Sequence, residues 1–184
     1  MYNKSAFRKV LKDAIKGPVF AVVGDDEHVT VVTMHALWDV PRSQYAELVQ
    51  PVTLKDAPEP GEAHQSGTRA AKTWEEWRQL IRGTYGNDGP AVITDFVADT
   101  AGRDTVMTPA MRIFATDNGP IAIDERFIRA IDVDVAGFQR GGGGIVAGNS
   151  SIRCLLMPVS MHAYGKIMTT AKAICAEYTG KKEG

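Results

Sequence analysis

The sequence contains few of the residues on which catalytic and metal centres commonly depend. Only two cysteines and four histidines occur among its 184 residues, and the histidines show neither HxH nor HExxH spacing. Cys154 lies in a strand-like run and Cys175 in a helix-like run, which is typical of buried thiols. This placement argues against a secreted disulfide framework and a cysteine-rich zinc site. We therefore expect neither a cofactor nor a structural metal ion.

A motif for nucleophilic catalysis is also missing. His35 and Asp39 are close enough in sequence to form a base with an orienting carboxylate, and Ser150 or Cys154 would then be the nucleophile. However, no G-x-S-x-G elbow or other local nucleophile signature accompanies them. The glycine run Gly141–Gly144 is followed by Ile-Val-Ala and not by the Lys-Ser/Thr of a phosphate-binding loop. It therefore predicts a turn between two strands.

Neither sign of charge dominates, and no apolar run is long. The 21 Lys and Arg residues nearly balance 22 Asp and Glu residues, so binding to nucleic acid would require a local basic patch. No stretch approaches the roughly 20 apolar residues of a membrane helix, and the first residues lack the apolar core of a signal peptide. With 44% hydrophobic residues the chain can form a core. We expect a single cytoplasmic domain over residues 1–184 that does not bind a membrane.

Hydrophobic periodicity and turn residues predict a mixed α+β domain with a mostly antiparallel sheet and its helices on one side. Residues 51–72 are rich in proline, glycine and charge, which predicts a long polar loop. The helices are predicted over residues 5–16, from Pro41 to about 49, 73–81, 124–131 and 161–178. Thr73 and Glu76 predict a capping box at the start of the third helix, and Asp124 can cap the fourth. The strands are predicted near residues 19–23, 28–34, 91–98, 133–139, 145–147 and 152–159. A further hairpin is predicted at 111–123, with Asn118 and Gly119 as its two-residue turn.

Two stretches of the chain share one order of elements. Residues 20–32 form a strand, an acidic turn and a second strand, and they lead into residues 38–45 with an aromatic side chain on the inner face of a short helix. Residues 111–123 and 124–131 repeat this order. We interpret the pattern as two similar hairpin-plus-helix halves that share one core.

The most conspicuous polar pattern is the basic face of the first predicted helix. Its apolar residues recur at helical spacing and predict a buried stripe. The other face can contact phosphates as point charges without reading bases, although a merely solvated face is an equally good interpretation. Its five cations are Lys4, Arg8, Lys9, Lys12 and Lys16.

A cluster of aspartates offers a different interpretation. Alternation places Asp95 and Asp99 on one side of an extended segment, and Asp104 follows after a turn. Carboxylate oxygens in such a pattern can bind Mg²⁺ for phosphoryl chemistry, which would make the protein a metal-dependent hydrolase or nuclease. Acidic residues beside a turn are also ordinary, so both interpretations remain open at this point.

In residues 121–131 a short predicted strand leads into a helix, and the final predicted strand, at residues 152–161, contains Leu-Met-Pro. With these features the later half of the chain resembles one domain of the bacterial-type DNA sliding clamp, the β-subunit family of DNA polymerase III. The first helix and the strands at 19–34 are similar to the other half of such a domain. A clamp subunit has three such domains, and this chain has room for one.

The resemblance implies a non-enzymatic clamp-like protein that binds duplex DNA or a replication protein, with the basic first helix lining a DNA channel. A ring would then require a homo-oligomer, and pairing of exposed sheet edges offers a route to it. The alternatives are the metal-dependent enzyme and a structural or protein-interaction module without a nucleic-acid role. The glycine turn and the polar loop are further candidates for contact with a partner.

Overall fold

The computed structural model describes residues 2–66, 72–99, 110–133, 136–149, 153–159 and 165–180, with the side chains of residues 179 and 180 left out. The helices in this part of the chain are α1 (Lys4–Ala14), α2 (Arg42–Leu48), α3 (Gln50–Thr53), α4 (Trp74–Thr84), α5 (Glu125–Arg129) and α6 (Gly165–Gly180). The strands are β1 (Phe20–Gly24), β2 (His28–Thr33), β3 (Ala36–Pro41), β4 (Ala63–Ser66), β5 (Gly89–Asp99), β6 (Ala110–Thr116), β7 (Gly119–Asp124), β8 (Gly137–Gly141), β9 (Gly144–Gly148) and β10 (Arg153–Leu156).

All these strands belong to one antiparallel sheet in the order β4-β1-β2-β3-β10-β9-β8-β5-β6-β7. The predicted α+β class and the antiparallel sheet are therefore confirmed. β5 joins the hairpin β6–β7 to the rest of the sheet, because it pairs with β8 through Gly89 and Pro90 and with β6 along most of its length. A bulge between Ile93 and Val97 interrupts that second pairing.

The centre of the sheet is the pairing of β3 with β10, in which Trp38 lies opposite Cys154 and Leu37 opposite Leu155. The chain reaches this centre twice, through α1 and the meander β1–β2–β3, and through α5 and the meander β8–β9–β10. β3 was missed by the sequence prediction, which placed a turn leading into a helix there. The predicted repeat of hairpin plus helix is not confirmed, since β1–β2 and β6–β7 lie toward opposite ends of the sheet.

One face of the sheet is covered by α1, α2 and α5, and we call it the α1 face. Phe7 and Trp38 are completely buried there, with ring centroids 5.3 Å apart in an edge-to-face contact. Tyr2 and Phe127 pack around the same indole at 6.0 Å each. Such edge contacts between large rings stabilise a core beyond the area they bury.

The opposite face is covered by α4, and we call it the α4 face. Leu37 and Leu155 point to this side and pack with Trp77 of α4. Further along the sheet, Ala171 of α6 packs against Met111 and Ile113 of β6. The prediction that all helices lie on one side is therefore wrong. β1 and β2 are buried at consecutive positions and thus on both faces of the sheet, so each face needs its own helical cover.

The predicted polar loop at residues 51–72 contains regular structure. It begins with α3, and β4 then pairs with β1 along the edge of the sheet. The chain also passes so close to Gly24 that an added Cβ would collide with the carbonyl oxygens of Pro58 and Glu59. β4 reads Ala-His-Gln-Ser and carries no apolar alternation, which is why its sequence did not indicate a strand.

Several local predictions are confirmed. Thr73 and Glu76 form the predicted capping box at the start of α4, and Asp124 caps α5 by accepting a 2.9 Å hydrogen bond from the amide of Arg126. The glycine run forms a turn between β8 and β9, with positive φ angles of 56° at Gly142 and 80° at Gly143. Residues 181–184 and the first residues of the predicted C-terminal helix lie outside the described part, in which α6 begins at residue 165.

Candidate nucleic-acid interface

The basic helix α1 is held in place by its apolar side. Asn3 caps its start, where the side-chain Oδ1 accepts a hydrogen bond of 3.2 Å from the amide of Ala6. Phe7 and Leu11 are completely buried against the sheet, so the opposite side of the helix necessarily faces solvent. Amphipathic periodicity thus determines which residues of α1 are available to a ligand.

Three of the predicted cations lie together on the solvent side, and we call them the lysine ridge: Lys9, Lys12 and Lys16. All three are exposed. Lys9 and Lys12 are one helical turn apart, and Lys16 follows just beyond the end of the helix. Within the described residues none of the three has an ion pair or a side-chain hydrogen bond. Over roughly 10 Å of helix axis the ridge therefore presents three positive charges that form no ion pair among the described residues.

The other two predicted cations point to one residue of α2. Lys4 forms an ion pair with the carboxylate of Glu47, and Arg8 donates hydrogen bonds from Nε and Nη2 to the carbonyl oxygen of the same residue, at 3.0 Å from Nε. The predicted basic face thus consists of two parts. The lysine ridge has no acidic partner among the described residues, whereas Lys4 and Arg8 are bound by Glu47. Sequence reasoning did not foresee this division, because Glu47 is 43 positions from Lys4.

The neighbouring helix α5 carries two more arginines that the sequence analysis did not single out. Arg126 binds the carboxylate of Asp124 at 2.6 Å and lies 3.8 Å from that of Asp13 on α1. Arg129 lies 3.5 Å from Glu125. Hydrogen bonding to Asp124 raises the pKa of Arg126 above its usual value. Both arginines are therefore partly neutralised by neighbouring carboxylates, in contrast to the lysine ridge.

A buried ion pair fixes α5 to the sheet beneath it. The guanidinium of Arg112 on β6 donates two hydrogen bonds to Glu125, of 2.9 and 2.8 Å. These bonds raise the pKa of Arg112, while the carboxylate side is almost fully enclosed. A bidentate pair of this kind orients the helix and contributes no free charge.

The alternative metal site gains no support from the described residues. Asp95 and Asp99 are exposed on β5, and Asp104 lies outside the described residues. The negative charge of Asp95 helps to raise the pKa of Arg112. Nowhere in the described part do three His, Cys, Asp or Glu side chains come together as metal ligands would.

Among the described residues, His35, Asp39 and Cys154 do not form the nucleophilic triad considered from the sequence. His35 is exposed at the turn between β2 and β3, whereas Asp39 lies further along β3, where its carboxylate accepts a 3.3 Å hydrogen bond from Thr30. Burial raises the pKa of Asp39 and, more strongly, that of the Cys154 thiol. A buried thiol with a raised pKa is a poor nucleophile. Ser150 lies outside the described residues.

The α4 face contains an apolar cavity of about 540 Å³ between α4 and the sheet. The helix is held above the sheet by its two indoles, since Trp74 Nε1 donates to the carbonyl of Gly24 at 2.8 Å and Trp77 Nε1 to Gln65 Oε1 at 2.9 Å. The cavity is lined mainly by aliphatic, methionine and aromatic side chains, among them Val32, Met34, Leu37, Leu80, Leu155 and Met157.

Three large apolar side chains at the edges of this cavity are partly exposed to solvent. Met34 is 44% exposed, Leu80 40% and Met157 36%. A concave apolar site of this size falls in the range of about 300–1,000 Å³ that ligand sites occupy. One residue could have indicated this cavity in advance, because Leu80 lies outside the apolar stripe of α4 formed by Trp74, Trp77 and Ile81.

The glycine turn offers only its tip as a contact surface. Gly142 and Gly143 are exposed, but Gly141 is buried. A Cβ on Gly141 would collide with the carbonyl of Gly86, and one on Gly142 with the carbonyl of Thr84. The flanks of the turn thus serve close packing against the end of α4.

Comparison with protein-family models, with curated proteins and with solved structures gives no match. Function is therefore inferred from the geometry of the chain itself. Among the helices in the described residues, none combines the length and the apolar character that crossing a membrane requires.

Proposed function

We propose that this chain is a non-enzymatic, clamp-like protein that acts in DNA transactions by holding duplex DNA through phosphate contacts from α1. The observation that carries the proposal is the lysine ridge, three exposed cations without an acidic partner among the described residues. A chain whose net charge is −1 has no general attraction for a polyanion, so a local concentration of unpaired charge is what such binding needs.

The arrangement around β3 and β10 supports the clamp-like part of the proposal. α1 is followed by the antiparallel strands β1–β2–β3, and α5 precedes the antiparallel strands β8–β9–β10. The last strands of these two units, β3 and β10, pair with each other. α1 and α5 lie side by side on the α1 face, where the amide of Asn3 donates to the carbonyl of Ala130 at 3.0 Å. Two related halves with adjacent helices are what the resemblance to a sliding-clamp domain implies.

The contacts would be independent of DNA sequence. Base recognition needs groups that reach base edges or aromatic rings that stack on bases. The aromatic residues of α1 and its start, Tyr2 and Phe7, are buried in the core, and Trp77 is buried beneath α4. Lysine side chains acting as point charges would bind the phosphate backbone of any duplex.

Encircling DNA would require several copies of the chain. Within the described residues, β4 and β7 are the edge strands of the sheet, and each has a neighbour on one side only. Unpaired edge strands can add a strand from another chain, so a homo-oligomer joined through these edges fits the proposal. Light scattering tests this part, because a monomer at working concentrations would leave DNA contact without a ring.

Duplex binding by fluorescence anisotropy tests the proposal as a whole. Replacing Lys9, Lys12 and Lys16 together by Glu should abolish measurable binding in 0.1 M salt, because three attractive contacts become repulsive. The matched control replaces three exposed lysines elsewhere, Lys55, Lys166 and Lys172, by Glu and should retain most of the affinity. Equal losses in the two variants would show that only net charge matters and would contradict a specific role of the ridge.

A second candidate function, docking of a replication protein, is favoured by the apolar cavity on the α4 face. The exposed edges at Met34, Leu80 and Met157 would accept apolar side chains of a protein partner. Leu80→Glu should weaken capture of a partner from a cell extract, whereas Leu54→Glu, at an 86% exposed position outside the cavity, should not. The same losses in both variants would contradict this second function.

A further inference from the structure

We propose that Glu47 competes with the DNA backbone for Lys4 and Arg8, and that in the wild-type protein it keeps both cations from adding phosphate contacts to those of the lysine ridge. This inference rests on the proposed function of α1. It adds a regulatory contact to that site. The lysine ridge is available to DNA at once, whereas Lys4 and Arg8 must first be released from Glu47.

Glu47 meets α1 with both its side chain and its backbone. Its carboxylate pairs with Lys4, and its carbonyl oxygen accepts hydrogen bonds from two nitrogens of Arg8. A carboxylate and a carbonyl oxygen are the same kinds of acceptor that a phosphate presents to lysine and arginine. Glu47 therefore makes the same kinds of contact to Lys4 and Arg8 that we propose for a phosphate of DNA.

The two occupied cations adjoin the lysine ridge. Lys4, Arg8 and Lys12 are spaced at intervals of four residues, so they form one row along the helix surface. Lys12 belongs to the ridge and has no acidic partner among the described residues. A duplex that lies along the ridge would thus find the next two cations of the same row engaged with Glu47.

The ion pair between Lys4 and Glu47 is one that a phosphate can replace once the carboxylate is removed. The side chains of Lys4 and Glu47 are 52% and 50% exposed, so water and salt weaken their attraction. A phosphate of duplex DNA carries a comparable charge and also releases condensed counterions when it binds a lysine. Arg8 differs, because it is held by a backbone carbonyl that no side-chain substitution at position 47 removes.

Titration of a labelled duplex at several salt concentrations tests the proposal with Glu47→Gln. Freeing Lys4 should raise the affinity about three- to eightfold in 0.1 M salt and steepen the slope of log K against log salt by about 0.9, the value for one added phosphate contact. The matched control is Glu75→Gln, which removes an exposed carboxylate on α4, on the other side of the sheet. It should leave both quantities unchanged.

A double-mutant cycle assigns the gain to Lys4. Lys4→Met should change DNA affinity little on its own, because Lys4 is occupied in the free protein, yet it should remove the gain in the Glu47→Gln background. If the wild-type protein binds DNA through the ridge and Glu47→Gln leaves affinity and slope unchanged, the competitor role is wrong and the proposed function stands. If neither protein binds DNA, the proposed function fails and takes this inference with it.

Discussion

The two faces of the sheet are covered by helices in different ways. On the α1 face, Trp38 is enclosed by the rings of Tyr2, Phe7 and Phe127, and the charged groups lie on the outer side of the helices. On the α4 face, the helix borders an apolar cavity and is attached through Trp77, which packs on Leu37 and Leu155, and through two indole hydrogen bonds. The α1 face is therefore closely packed around Trp38 and offers charge, whereas the larger of the two apolar cavities beside these helices lies on the α4 face, with about 540 Å³ against about 350 Å³ beside α1.

Replacing an indole on each face should give the largest difference between them. Trp38→Ala should lower the free energy of unfolding by about 3–5 kcal/mol, because it leaves a cavity in a closely packed core. Trp77→Ala should cost distinctly less, since Trp77 already borders the cavity on the α4 face. Chemical denaturation measures both values. Equal costs would contradict the view that the two faces differ in packing.

Removing the capping box should show that α4 is attached locally. Thr73→Ala deletes the side-chain acceptor for the amide of Glu76 and should cost about 1 kcal/mol. Because few contacts hold α4, we expect faster amide hydrogen exchange in this helix with little change in α1. Faster exchange that spreads equally to α1 would indicate that both faces open as one unit.

The carboxyl of Asp39 should make stability depend on pH in a defined direction. Its pKa is raised, chiefly by burial, so the folded state favours the protonated form. The stability from this group is fully present below the ordinary pKa of aspartate and is lost as pH rises through the higher folded value. Asp39→Asn should therefore raise the melting temperature at pH 8 more than at pH 4. A gain that is equal at both pH values, or greater at pH 4, would contradict this assignment.

Divalent cations should have the smallest effect of all. If Asp95, Asp99 and Asp104 bound Mg²⁺ or Mn²⁺, either ion would raise the melting temperature in proportion to its occupancy, and EDTA would reverse the shift. We expect no shift with either ion. A saturable increase that Asp95→Asn removes would favour the metal-dependent enzyme over the DNA-binding protein.

Local features of the fold followed from the sequence because short-range chemistry determines them. The apolar stripe of α1, the capping box at Thr73 and the glycine turn at Gly142 each depend on residues only a few positions apart. The hairpin between β6 and β7 was also predicted, although its turn residues are Asp117 and Asn118 with Gly119 following at a φ of 102°.

Long-range features did not follow, because they depend on partners that are distant in sequence. β3 pairs with its neighbour β2, but its second partner β10, which places Trp38 at the centre of the sheet, begins more than 100 positions later. β4 is a strand only because the edge of β1 offers it hydrogen bonds. The same reasoning applies to the candidate site, where periodicity predicted the exposed lysines but could not indicate the contact with Glu47.

The salt dependence of duplex binding tests the central claim most directly. Three phosphate contacts from the lysine ridge predict a slope of log K against log salt of about −2.7 in the wild-type protein, whatever the DNA sequence. The slope should approach zero when Lys9, Lys12 and Lys16 are replaced by Met. An unchanged slope in that variant, or no salt-dependent binding by the wild-type protein, would contradict the claim that this helix holds DNA.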